Sequence, residues 1–500
     1  MRLAITIGAV AMALVGAAEK PPSADAKGKA ELPFMHLPAL GNPNALNSEI
    51  TSLSLERMGI TDLKPLLKLT GLRELNLLRN PELPLTEVAK LQIALPRCEI
   101  QILLSLWPAV RTEIAIRRAS GNLTNKLTHA DYEKVVQLHL GGQRIGDLKP
   151  LAQLPNLDRL SLNGNRVGDL KPLAGLTNLR SLSLNQNQVT NLTPLVGLDK
   201  LVSLRVNDNR IARMDHIPAF DGLRTLELDG NSLTNVSALK GLAKLEELSL
   251  ARNLITNLTS LIGMRGLERL SLDNNRISDL EPLKNLKSPA SSEPTQPKIL
   301  RELWLRNNQI SDLKPLARFT GLQWLALAEN NCTDPSPLAD LTALTWLDLR
   351  GNQIQSLAGL GKKPKLITLH WGDNNASDLA GLGGLTALHH LHLQSNRFTN
   401  LTPLAFLKKL ESLNLDGNRV TDLSPLKNLK NLRSLSLSHN QVTELAPLVN
   451  LKNLQILNLT GNPKLTVDEV AKLRTALPRC LITSNTIIRE REQPFTASPK

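Results

Sequence analysis

From Leu138 onward the apolar residues fall in a fixed figure, L-x-x-L-x-L-x-x-N, which returns along most of the chain. One copy is Leu388 to Asn396, L-H-H-L-H-L-Q-S-N. The closing Asn falls at Asn165, Asn187, Asn209, Asn231, Asn253 and Asn275, then at Asn308, Asn330, Asn352, Asn374, Asn396, Asn418, Asn440 and Asn462, every 22 residues except for one step of 33. Within L-x-L the two leucines point to one face and the residue between them to the other, because side chains alternate along a strand. The second half of a repeat reads I-x-D-L-x-P-L, as in Ile310, Asp312, Leu313, Pro315 and Leu316. A proline there fits a short 3₁₀ or irregular return, where its missing N–H does little harm. One repeat cannot bury its own leucines, but stacked repeats bury them against each other. The expected fold is therefore an α/β solenoid: a horseshoe with a parallel β-sheet on its concave face, short 3₁₀ or irregular convex returns, and helical caps. Each Asn is expected to turn the chain out of its strand and pair with neighbouring loop backbone, since buried backbone polar groups need partners.

Read in order, the chain opens M-R-L-A-I-T-I-G-A-V-A-M-A-L-V-G-A-A-E-K. A basic start, an apolar run and small residues at its end predict a signal peptide over residues 1–18. Residues 19–36, rich in Pro, Ala and Lys, predict a flexible linker. Residues 37–101 predict a short repeat array with its own C-terminal cap, and residues 102–134 a connector and an N-terminal cap helix. In the connector Trp107 is expected to pack rather than recognise, and T-H-A-D (Thr128 to Asp131) predicts a capped helix start. The main array is predicted over residues 135–482, with 15 repeats and a C-terminal cap at 463–482, and a tail over 483–500. The caps are recognisable from each other: N-P-E-L-P-L-T-E-V-A-K-L-Q-I-A-L-P-R-C-E-I (80–100) and N-P-K-L-T-V-D-E-V-A-K-L-R-T-A-L-P-R-C-L-I (462–482) agree at 14 of 21 positions. Both predict a short amphipathic helix closed by a proline, placed to cover an open sheet end. Two repeats are too few for a stable solenoid, so the first array is expected to lean on another part of the chain. Residues 288–298, S-P-A-S-S-E-P-T-Q-P-K, account for the long step and read as a loop on the return side.

The strand–return figure is the signature of the leucine-rich repeat. Its 22-residue length and D-L-x-P-L return resemble the internalin-like class of bacterial repeats and the phosphatase-regulator class of eukaryotic ones, over residues 50–101 and 122–482. The resemblance implies a binding scaffold and names no ligand, because the shared residues are structural. The C-terminus, I-I-R-E-R-E-Q-P-F-T-A-S-P-K, lacks the L-P-x-T-G sorting motif of Gram-positive surface members, so host-cell binding is not carried over.

The formal net charge of +14 changes this picture little, because Lys and Arg are scattered among Asp and Glu. A solvated basic surface is expected, not a nucleic-acid footprint. Three cysteines, Cys98, Cys332 and Cys480, at wide spacing make neither a disulfide framework nor a zinc motif. Cys332 takes an Ile place and is expected in the core.

Aromatics make up only 2% of the chain, so a cluster of them is informative. The exposed columns are the residue inside L-x-L and the one just before it. Most of their members are small or polar. Over five consecutive repeats they become Trp304, Trp324, Trp346, His370, His390 and His392, with Arg306, Asp348 and Arg350 alongside. Trp324 and Trp346 share a column in adjacent repeats and are expected to stack or pack side by side. Trp371 takes a Leu place and is expected to point inward. These nine residues form the predicted partner-binding surface, with the composition of a hot spot. His370, His390 and His392 with Asp348 are a competing metal reading, but no second shell is visible and no metal or other cofactor is assigned.

No phosphate loop, nucleophile elbow or metalloprotease motif occurs, and the abundant Asp and Ser recur with the repeat, so no enzyme is predicted. The expected function is an exported, bacterial, non-enzymatic scaffold that binds a protein partner through the concave face, secreted or held in the periplasm or envelope, with no nucleic-acid partner and no stable membrane span in the mature chain. Two alternatives stand beside it: glycan or peptidoglycan binding by the Trp cluster, and an intracellular adaptor like the phosphatase regulators.

Overall fold

The computed structural model describes residues 50–214, 220–286 and 299–485. The signal-like start, the linker, the 288–298 insertion and most of the tail lie outside the described residues. The chain divides into two compact units, Met1–Asn209 and Arg210–Lys500.

In the first unit, strands β1 (Ser52–Ser54), β2 (Glu74–Asn76) and β3 (Glu99–Gln101) form a parallel sheet in chain order. Helix α1 (Leu85–Ala94) joins β2 to β3 and buries Val88, Ala89 and Leu91. The connector forms helix α2 (Trp107–Ser120), started by Pro108 in its first turn and ended by Gly121 in the left-handed conformation. Val110 and Ile114 of α2 belong to the same buried cluster as Leu75 of β2 and Ile100 of β3, and Leu53 of β1 and Trp107 pack against it. The short array thus leans on α2, which touches α1 and also β4 (Gln137–His139). Helix α3 (His129–Glu133) precedes β4, with Thr128 at its N-cap donating from both N–H (2.9 Å) and hydroxyl (2.8 Å) to Asp131. Strands β5 (Arg159–Ser161), β6 (Ser181–Ser183) and β7 (Ser203–Arg205) follow in parallel register.

The second unit carries β8 (Thr225–Glu227), β9 (Glu247–Ser249), β10 (Arg269–Ser271), β11 (Glu302–Trp304), β12 (Trp324–Ala326), β13 (Trp346–Asp348), β14 (Thr368–His370), β15 (His390–His392), β16 (Ser412–Asn414), β17 (Ser434–Ser436), β18 (Ile456–Asn458) and β19 (Leu481–Thr483). All pair in parallel, in chain order and without slippage, so Leu303, Leu325, Leu347, Leu369 and Leu391 make one inward row. Each of these five is fully buried. The returns are 3₁₀ turns such as Lys314–Arg318, with Pro315 in the first turn. The motif's Asp has a structural task there: Asp312 Oδ1 accepts the Lys314 N–H at 2.9 Å and holds the turn entry.

The Asn ladder is a spine of hydrogen bonds. Asn352 Nδ2 donates to the carbonyls of Leu327 (2.9 Å), Leu349 (3.1 Å) and Arg350 (3.2 Å), and its Oδ1 accepts the Cys332 N–H at 3.0 Å. One side chain thereby ties its own turn to the preceding repeat. Cys332 is fully buried in its Ile place, and burial pushes its thiol up to about 12. All three cysteines are free.

The two caps share a sequence but not an environment. Helix α4 (Val467–Ala476) buries Val470 and Leu473 over the last strands. The Lys90 side chain on α1 is 15% exposed, and its equivalent Lys472 on α4 is 73% exposed. The difference traces to α2, which packs on α1. In keeping with this, Gln92 and Ile93 of α1 are replaced by Arg474 and Thr475 on α4.

Candidate functional site

The register of β11–β15 decides where the nine candidate residues stand. Trp324, Trp346, Thr368 and His390 are partners along one column; Trp304, Ala326, Asp348, His370 and His392 are partners along the next. These residues lie on the sheet face opposite the inward leucines. Trp304, Trp324, Trp346, His370, His390 and His392 are half-buried, and Arg306 is exposed.

The rings form a continuous line. Trp324 and Trp346 stack with centroids 4.1 Å apart and planes 9° apart. Trp346 meets His370 across the diagonal, at 5.5 Å and 53°. His370 and His392 then stack at 4.3 Å and 10°. Strand spacing near 4.8 Å places same-column neighbours within reach of face-to-face contact. Trp304 and His390 flank this line without a ring contact in it.

Asp348 behaves differently from its column. The pattern predicts an exposed side chain, yet it is only 2% exposed. Arg350 folds back over it, with Nε on Oδ1 at 2.9 Å and Nη2 on Oδ2 at 2.7 Å, and the Arg350 N–H adds a third bond to Oδ1 at 3.1 Å. The bidentate pair satisfies both charges and holds the guanidinium firmly protonated. Both Asp348 oxygens are engaged by Arg350 and covered from solvent. Among the described residues, no three His, Cys, Asp or Glu side chains are arranged to hold a metal ion.

Burial is the main cause that lowers the histidines' affinity for protons. It takes His370 down to about 4, helped by His392, Arg350 and His390 and opposed by Asp348. It lowers His392 as well, with Arg350 and His390 adding to the effect. Both imidazoles are therefore neutral at pH 7, which a face-to-face pair requires. The folded chain binds its proton at His370 later than the unfolded chain does, so the His370 contribution to stability is complete above about pH 6.5 and is lost as pH falls through about 4. The expected loss is on the order of 1–2 kcal/mol after allowance for partial exposure. Melting curves of wild type and His370→Phe between pH 7.5 and 4.5 measure it: the difference between them should shrink as pH falls. A constant difference would show that the pair does not titrate as a buried unit.

Two features of this face were not read from the sequence. Trp324 Nε1 and Gln394 Oε1 are two of only four buried side-chain polar atoms left without a hydrogen-bond partner among the described residues. Gln394 lies across Gly372, where an added Cβ would come within 2.4 Å of its amide nitrogen. Nothing in a 22-residue pattern announces either. Trp371, by contrast, is fully buried as its Leu place predicts, donates its indole N–H to the Ile354 carbonyl at 3.1 Å and packs on Phe398.

The repeat, its strand and its Asn spine define a leucine-rich repeat scaffold. Two family models agree: "Leucine Rich repeats (2 copies)" matches residues 177–219, 386–428 and 430–472, and "Leucine rich repeat" matches 221–277 and 298–354. The chain is a leucine-rich repeat protein. No curated protein matches it in sequence. Among solved structures it is similar to an internalin of Listeria monocytogenes, InlF, at 28% identity and a TM-score of 0.56 over 69% of this chain and 93% of that one. It is also similar to the functional domain of InlJ from the same organism, at 24% identity and a TM-score of 0.57 over 70% and 73%. A leucine-rich repeat protein of Leptospira interrogans matches at 24% identity and a TM-score of 0.54, over 88% of this chain and 97% of that one. The resemblance to internalins implies a binding role, and scaffolds of this kind are in general non-catalytic. No helix among the described residues is long and apolar enough to cross a membrane.

Proposed function

We propose that this protein is an exported scaffold that binds a protein partner through the sheet face of β11–β15 that lies opposite the inward leucines, with Trp304, Trp324, Trp346, His390 and the His370–His392 pair as contact residues and Arg306 and Arg350 at their flank. The carrying observation is the ring line from Trp324 to His392, set on a face whose other members are mostly small or polar. A half-buried row of aromatic edges beside guanidinium groups is the composition that concentrates binding energy in protein interfaces. Asp348 serves this surface by fixing Arg350. Export rests on the signal-like residues 1–18 and accords with the bacterial proteins of similar structure.

The stacking bears on the glycan alternative. A sugar ring docks on an open aromatic face. The Trp324–Trp346 stack occupies one face of each indole, and His370 tilts against Trp346. What the pair offers is edges, which suit side chains of a polypeptide better than pyranose rings.

The test is capture from the source organism's envelope and culture fluid on immobilised full chain. It is run beside a Trp324→Ala, Trp346→Ala, His390→Ala variant. The expected result is a protein retained by wild type and bound at least about a hundredfold more weakly by the variant. The variant should lose no more than about 2 kcal/mol of stability, since its side chains are half-buried. A protein partner held equally by both would remove the site from this face, and retention of glycan alone would replace the partner class.

A further inference from the structure

Lys and Arg are scattered among Asp and Glu along most of the chain, but not near its C-terminal end. Three successive links run from a 3₁₀ return back to the next strand: 405–411 into β16, 427–433 into β17 and 449–455 into β18. They hold Lys408, Lys409, Lys427, Lys430, Arg433 and Lys452 against a single carboxylate, Glu411. The corresponding links at 152–158, 174–180 and 383–389 hold no lysine. The three links share one geometry. Leu407, Leu429 and Leu451 each donate to the leucine carbonyl three residues back, and Leu410, Leu432 and Leu454 do the same. The Asn431 side chain then donates to the Lys408 carbonyl, and Asn453 to the Lys430 carbonyl, both at 2.8 Å. These bonds tie each link to the next and set Lys408, Lys430 and Lys452 in one column, spanning on the order of 10 Å at the ~4.8 Å step between strands. All six basic residues are exposed. Glu411 is taken by Arg433 at 3.6 Å. Lys452 donates to the Ala476 carbonyl at 3.0 Å, which leaves its charge in place. Among the described residues, Lys408, Lys409, Lys427 and Lys430 have no carboxylate at ion-pair distance. Like charges on adjacent repeats repel, so the column does not serve the fold.

An apolar ring stands among these charges. Phe406 is 62% exposed, and no other Phe, Tyr or Trp among the described residues is exposed. Its place in the repeat is a glycine place, held by Gly175, Gly197, Gly241, Gly263 and Gly384 elsewhere, so packing does not call for a ring there. Its only neighbour of note is the bare backbone of Gly383, where an added Cβ would stand 3.5 Å from the ring. Lysines around an exposed apolar ring suit an anionic lipid surface: the ammonium groups are drawn to headgroup phosphates, and the ring enters the boundary beneath them. A dissolved polyanion would use the lysines and leave the ring in water.

We propose that this flank is a peripheral docking site for an anionic lipid surface, with Lys408, Lys409, Lys427 and Lys430 against headgroup phosphates and Phe406 in the interfacial layer. The contact is made at the surface and needs no membrane-crossing helix. It is independent of the aromatic face of β11–β15, so either reading can fail without the other.

Flotation of the full chain with lipid vesicles tests it. The chain should bind phosphatidylcholine vesicles containing about 30% phosphatidylglycerol at least about tenfold more tightly than phosphatidylcholine alone. Raising salt from about 50 to 500 mM should remove that difference. The Lys408→Gln, Lys409→Gln, Lys427→Gln, Lys430→Gln variant should bind the anionic vesicles at least about fiftyfold more weakly, at about fivefold for each lysine near the surface. Phe406→Ser should weaken binding about tenfold. A control with the same loss of charge, Lys64→Gln, Lys149→Gln, Lys171→Gln, Lys314→Gln, removes lysines of other returns and should change binding by no more than about twofold. Any affinity of the apolar residues 3–15 for lipid is common to both vesicles and every variant, so the differences carry the test. All the substituted side chains are exposed, and melting curves should match wild type. Equal affinity for the two vesicles, or equal weakening by the two lysine variants, would overturn the site. Loss on the first lysine variant with none on Phe406→Ser, and soluble polyphosphate bound as tightly as the vesicles, would replace the lipid with a dissolved polyanion.

Discussion

Leu391→Ala should lower stability by about 3–5 kcal/mol, and Asn352→Ala by about 2–4 kcal/mol, as read from denaturant midpoints. Leu391 is the inward residue of β15, fully buried, with Leu369 and Leu413 as register partners on either side. Its truncation opens a cavity in a row where the neighbours are fixed by their own strands and cannot close in, so the cost should lie toward the upper part of the range for such changes. Asn352 holds three carbonyls and one N–H belonging to two successive repeats. Alanine there leaves buried backbone groups unpaired at the junction, which costs more than the bonds themselves are worth. The two lesions should also differ in kind. The cavity weakens one repeat. The missing Asn weakens the interface between repeats, and in a chain whose stability is a sum of neighbour terms that should broaden the transition. A midpoint and slope unchanged by Asn352→Ala would mean that the ladder follows the stacking of the leucines and does not enforce it.

Both residues were legible in the sequence because a period shows what every copy shares. The same arithmetic put Trp324 beside Trp346 and turned Trp371 inward. A period is a weak guide to what only one repeat does. Asp348 occupies an outward place, but a short side chain between Ala326 and His370 is covered once Arg350 folds over it, and that fold depends on side-chain reach. The diagonal contact of Trp346 with His370 crosses two columns and is invisible to a reading that goes down each alone. Helix α2 was blurred because the apolar run from Ile102 to Val110, interrupted only by Ser105, starts just after β3 and passes through a 3₁₀ turn into the helix. Its importance lies in what it packs against, since it supplies the core that the short array lacks.

Lys363 could have been found from the same columns. It precedes Leu366 by three residues, as Leu341 precedes Leu344 and Leu385 precedes Leu388, so it stands in a leucine place of the return. The structure buries it completely. Its stem fills the leucine volume, and its ammonium donates to the carbonyls of Ala339 (2.8 Å) and Leu360 (2.5 Å). In the repeats on either side, the corresponding carbonyls of Leu338 and Leu382 receive the backbone N–H of Leu341 and Leu385. Here the turn ends on Gly361, whose φ is +72° with an extended ψ of -173°, and the lysine supplies the donor instead. Lys363→Ala removes both stem and donor and should cost about 2–4 kcal/mol at pH 7. Lys363→Met keeps the volume, loses the two hydrogen bonds and is relieved of a buried charge; those effects oppose each other and should leave it within about 1 kcal/mol of wild type. The charge itself has a pH signature. Burial brings the Lys363 ammonium down to about 8, with Asp340 pulling the other way. Between about 8 and 10.5 the unfolded chain holds a proton that the folded chain has released, so this group's contribution is present above 10.5 and is lost as pH falls through about 8. Wild type should therefore gain stability relative to Lys363→Met as pH is raised through that window, by up to about 3 kcal/mol. A flat difference across it would mean that the two carbonyls hold the ammonium protonated in spite of its burial, and Lys363→Met should then be clearly less stable than wild type at every pH.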